Sequence, residues 1–82
     1  MNKGTKDVRF IVALYDLAKE AGDIYQPINK YEVGKSVGIK ERAVNAISKL
    51  LVQANFIKKV DEELVSLAQH GEELVKRLRH LK

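Results

Sequence analysis

The chain has 82 residues, 45% apolar and 32% charged, with a formal net charge of +4. That length fits one domain, residues 1–82, near the lower limit for independent folding, and the composition excludes a disordered chain. The absence of cysteine excludes a disulfide framework, a thiol nucleophile and a cysteine-ligated zinc. No apolar run approaches the roughly 18 residues of a membrane span, and the opening MNKGTKDVRF has no signal-peptide core; a cytoplasmic protein with no membrane contact is expected. The positive charge permits a polyanionic partner without requiring one.

The first element is TKDVRFIVALYDLAKEAG. At about 100° per residue, Val8, Phe10, Ile11, Leu14, Tyr15, Leu17, Ala18 and Ala21 share one broad face, with Arg9, Asp16, Lys19 and Glu20 opposite. An amphipathic helix follows, opened at Thr5 or Lys6 and ended by Gly22-Asp23. DIYQPIN comes next, and Pro27 limits it to a short edge strand because proline cannot donate to a ladder. Asn29, with Glu32 three residues on, marks a helix start. The helix it opens, KYEVGKSV, is barely two turns, and Gly34 inside it costs about 1 kcal/mol relative to alanine. A close approach by a neighbouring helix would account for that residue.

Gly38 supplies a sharp turn before KERAVNAISKLLVQA. On this third helix Ala43, Val44, Ile47, Leu50, Leu51 and Ala54 are expected inward, while Arg42, Asn45 and Lys49 line the other side at spacings of three and four. Asn55 stands where a helix needs a C-terminal cap. FIKKVDEELVSLA then reads as two short strands around Asp61-Glu62-Glu63. The last helix, QHGEELVKRLRHLK, places Leu74, Val75, Leu78 and Leu81 on one face. Its acids come early and its basic residues late, which suits the helix dipole. The architecture is therefore mainly α with a small β-hairpin.

Two helices joined by a tight glycine turn, with a polar stripe on the second, form a helix-turn-helix unit. Four segments in order, YEVGKSVGI, the Val44/Ile47/Leu51 spacing, NFIKKV and LVSLAQHGEELV, resemble the winged helix-turn-helix family of DNA-binding regulators. The resemblance covers the chain from about residue 7 and implies a three-helix core, a two- to three-stranded wing and a C-terminal helix. It also implies sequence-specific binding of double-stranded DNA by a small transcriptional regulator, with the second helix in the major groove.

On that reading Arg42, Asn45 and Lys49 face DNA. Arginine can bind guanine O6 and N7, asparagine can pair with adenine N6 and N7, and lysine can neutralise phosphate. Lys30 and Lys40, at helix starts, are placed for phosphate contacts, and Lys58 and Lys59 could reach the flanking backbone. The family's pattern is broken in three places. Acids occupy the wing tip, Lys40 replaces a Ser/Thr cap, and Ala68 replaces the threonine that caps the last helix.

Taken alone, the Arg42/Asn45/Lys49 face could be a solvated surface, and Lys58-Lys59 could be edge-strand protection. Asp16 and Glu20, one turn apart, read as a solvated pair and not an acid/base couple. His70 and His80 lack partners at metal-ligand spacing, and no cofactor or metal is implied. No phosphate loop or nucleophile elbow is present, so an enzyme is not expected. The rival reading is a winged-helix protein–protein interaction module that does not bind DNA, using the acidic tip and terminal helices. An RNA-binding role lacks an exposed aromatic platform. The leucine stripe of the last helix could pack as core or pair two copies into a homodimer through the first and last helices.

Overall fold

The described residues of a computed structural model are 5–80. Four helices and three strands run in the order α1 (Lys6–Glu20), β1 (Ile28–Asn29), α2 (Lys30–Ser36), α3 (Glu41–Gln53), β2 (Ile57–Lys59), β3 (Leu64–Leu67) and α4 (Gln69–His80). The protein is mainly helical with a small antiparallel sheet. No helix among the described residues is long and apolar enough to cross a membrane.

Helix α1 is the centre of the molecule. Phe10, Ile11 and Leu14 are fully buried on it, and α2, α3, α4 and β3 all pack against it. The core draws Val33 from α2, Val44 and Leu51 from α3, Ile57 and Leu67 from the hairpin and Val75 from α4. Burying each such side chain contributes about 1.5–3 kcal/mol, so the elements hold together through one shared apolar interior. The expected inward face of α1 is found, except that Ala21 is exposed; it caps the helix and lies beyond its last packed turn.

Three helices stop in the same way. The chain enters the left-handed region at Gly22, Gly38 and Asn55, with φ of +110°, +73° and +64°. In each case the next amide bonds back to the last helical turn: Asp23 to Ala18 O, Ile39 to Gly34 O, and Phe56 to Leu51 O. This closure satisfies carbonyls that a helix end would otherwise leave unpaired. Gly38 thereby lets α3 leave α2 within four residues. Gly34 serves the close approach expected of it, because a Cβ there would lie 2.3 Å from Val44 Cγ2 of α3.

Strand β3 is central, with β1 and β2 antiparallel on either side. Ile28 faces Val65, and Lys59 faces Val65 from the other edge. The strand does not alternate between core and solvent: Val65, Ser66 and Leu67 are all buried. The proline-limited segment is the edge strand that was expected.

Helix α3 corrects one expectation. Leu50 is 62% exposed, and Ala54 is exposed as well, whereas Ser48 is buried. At about 100° per residue, Leu50 falls about 60° beyond Ile47 and outside the arc that meets the core. The packed arc is Val44, Ile47, Ser48 and Leu51, and Ser48 tolerates burial by donating its hydroxyl to Asn45 O at 3.2 Å. Helix α4 turns Val75 and Leu78 into the core, and Arg79 binds Asp16 of α1 at 2.6 Å. The stripe offered as core or as dimer seam is thus packed within the chain at those positions. Leu81 lies outside the described residues.

Candidate nucleic-acid interface

Arg42, Asn45 and Lys49 are all exposed on α3. They fall within an arc of about 60°, as the three-and-four spacing requires. What the stripe faces is set by its neighbours. Asn29 ends β1 and caps α2, its Oδ1 accepting from Tyr31 N at 2.8 Å and Glu32 N at 3.3 Å. The Lys30 amide donates to Glu63 O of the hairpin turn at 2.8 Å. The start of α2 is therefore tied to the hairpin, and Lys30 is carried to the side of α3.

The result is a cleft whose walls come from α2, α3 and the hairpin. Lys30, Asn45, Lys49, Lys59 and Asp61 line it. Among these are three lysines and one carboxylate, and one oxygen of that carboxylate is held by the backbone. Asp61 Oδ1 accepts from Glu63 N at 3.0 Å and Leu64 N at 2.9 Å, which builds the turn. The other two acids of the tip also have local partners. Glu62 lies 4.0 Å from Lys59 Nζ, and Glu63 accepts from Asn29 Nδ2 at 3.4 Å. Such exposed contacts are weak, so Lys59 stays available to an anion.

A second basic surface lies at the start of α3. Lys40 occupies the N-cap position with no side-chain cap bond, because an ammonium cannot accept from backbone N–H groups. Lys40 and Arg42 line a shallow groove with Lys6 of α1. Lys58 is separated from both surfaces. Successive strand residues point to opposite faces, so while Lys59 lines the cleft, Lys58 lines a hollow with Tyr25 and Gln69.

The structure thus brings together Lys30, Asn45, Lys49 and Lys59, places Lys40 and Arg42 beside Lys6, and leaves Lys58 apart. Three further contributors surround these residues. Tyr31 donates its hydroxyl to Asn45 Oδ1 at 2.9 Å, and Lys30 Nζ lies 5.3 Å from the centroid of the same ring. Ser48 lines the cleft and donates to Asn45 O. Lys6 joins the second groove only because α1 begins beside the α2–α3 turn. Helical periodicity on α3 could have flagged Ser48; nothing local links Tyr31 to a residue fourteen positions on.

The chain matches no protein-family model, no curated protein and no solved structure.

Proposed function

We propose that the chain is a winged helix-turn-helix domain that binds double-stranded DNA sequence-specifically as a small transcriptional regulator in the cytoplasm. It acts by binding and not by catalysis. The observation that carries this reading is the exposed donor stripe Arg42, Asn45 and Lys49 on α3, of which Asn45 and Lys49 line one cleft with Lys30 and Lys59. Helix α3 enters the major groove, and Arg42 and Asn45 meet base edges. The lysines take phosphates on one side of the helix, and Lys40 takes one on the other.

Titration into a random duplex pool at about 50 and about 200 mM salt tests it by anisotropy. Binding should fall steeply with salt. Replacing Lys30, Lys49 and Lys59 together by alanine should weaken binding to all sequences and flatten the logarithmic salt slope by about 3, or about 0.9 per phosphate. Arg42→Ala should instead cost about 1–3 kcal/mol on selected sites and relax preference at one position. Absence of binding at the lower salt would overturn the reading.

The protein-interaction reading draws on exposed Leu50 and Val60, 62% and 49% accessible, and on the acidic hairpin tip. Under that reading the lysine variants leave partner binding unchanged, and Leu50→Asp abolishes it. Pairing of two copies through the first and last helices must draw on surface other than Val75 and Leu78, which are already buried. Sedimentation against the 9.3 kDa chain mass measures it.

A further inference from the structure

The Tyr31–Asn45 hydrogen bond has a consequence for what α3 can read. A carboxamide carries an acceptor on one end and two donors on the other. Adenine recognition by asparagine uses both ends, Oδ1 toward the N6 amino group and Nδ2 toward N7. Here the Tyr31 hydroxyl donates to Oδ1. Tyr31 is itself fixed, because its ring is half-buried at the edge of the core and its backbone amide is held by the Asn29 cap. The Asn45 backbone is fixed as well, since it lies inside α3. With Oδ1 held toward α2, the exposed end of the side chain is Nδ2.

We infer that Tyr31 is a positioning residue that turns Asn45 into an outward hydrogen-bond donor, so that α3 selects guanine over adenine at the base pair Asn45 meets. Both purines present N7 as an acceptor in the major groove. Guanine adds O6, a second acceptor, where adenine presents an amino donor that would face the Asn45 amino group. Arg42 and Lys49 on the same stripe are also pure donors, so the stripe is matched to acceptor-bearing edges along its length. This inference rests on the DNA-binding reading and goes beyond it, since it replaces the usual asparagine–adenine pairing.

Binding-site selection from a random duplex pool tests it, with the wild-type protein, Asn45→Ala and Tyr31→Phe compared. The position that loses its preference in Asn45→Ala is the one Asn45 reads. At that position the wild type should favour guanine over adenine by about fivefold or more. Tyr31→Phe removes only the hydroxyl and keeps the packed ring. It should bring the guanine-to-adenine ratio close to one, because the freed amide can present either end. Melting temperature and salt slope should stay at wild-type values, which a purely structural role for Tyr31 would not allow.

Adenine selected by the wild type would overturn the inference and leave DNA binding standing. So would an unchanged ratio in Tyr31→Phe, or a loss in Asn45→Ala spread evenly over all sequences. Failure of the wild type to bind any duplex would overturn both. The nitrogen shift of the Asn45 side-chain amide in the free protein gives an independent reading, expected to move in Tyr31→Phe if the hydroxyl holds that group.

Discussion

Gly34 is where a single missing side chain decides how two helices meet. Helix propensity alone favours Gly34→Ala by about 1 kcal/mol. Packing opposes it, since the added Cβ would meet Val44 Cγ2 at 2.3 Å and Ile39 O at 3.1 Å. Val44 is β-branched, fully buried and locked in a helix, so it has little room to move. Overpacking of this kind costs about 1–3 kcal/mol and outweighs the propensity gain. Gly34→Ala should therefore lower stability in urea unfolding; an unchanged or raised midpoint would mean that α3 can shift freely on α2. The interior glycine was visible in the sequence as an anomaly and was rightly referred to a close neighbour. Which atom it makes room for was not legible, because Val44 reaches it only through the turn at Gly38.

At the scale of the element, α3 divides its surface between core and solvent more narrowly than its composition suggests. Its apolar residues span too wide an arc for all of them to touch α1, and the helix cannot report which edge of that arc is left out. Leu51→Ala should cost about 2–5 kcal/mol, as removal of a buried leucine does. Leu50→Ala should stay within about 0.5 kcal/mol, as at an ordinary exposed site. Equal losses in thermal melts would show that Leu50 is covered in solution. The hairpin shows the complementary case. Three consecutive acids resemble a repulsive tip when read as charge, yet Asp61 is a turn-builder and Glu63 accepts from the residue that caps α2. The Lys58-Lys59 pair looks like one feature in sequence, and strand geometry splits it between two faces.

At the scale of the whole molecule, buried Val75 and Leu78 anchor α4, and an exposed Tyr25–Glu72 clamp adds contacts that titrate. Glu72 accepts from the Tyr25 hydroxyl and pairs with Lys76 at 2.9 Å. The hydrogen bond from Tyr25, then that from Lys76, holds the Glu72 carboxyl below its ordinary 4.5. A depressed carboxyl stabilises the fold above its unfolded value, and that contribution fades as pH falls through the lowered pKa. The hydrogen bond to Glu72 raises Tyr25 above 10.0 and Lys76 above 10.5, so their contribution is complete below those values and fades as pH rises through the raised ones. The contribution of these contacts should thus be constant between the two limits. Tyr25→Phe should flatten the acid-side fall in melting temperature below pH 4.5; parallel profiles for variant and wild type would show that the clamp contributes nothing to stability.

The sequence by itself determined the elements, their order and their ends. Periodicity, the Asn29 cap, the left-handed stops at Gly22, Gly38 and Asn55, and the proline-limited edge strand are local consequences of backbone and side-chain chemistry over a few residues. It also determined that Arg42, Asn45 and Lys49 share one exposed stripe, since three-and-four spacing on a helix allows little else. Only the tertiary structure decided what surrounds that stripe. Lys30 and Lys59 reach it because α2 is tied to the hairpin through Glu63 O, and Tyr31 reaches Asn45 because α2 crosses α3 at Gly34. Those contacts join residues far apart in the chain, and their geometry depends on how every element packs on α1, which no local pattern encodes.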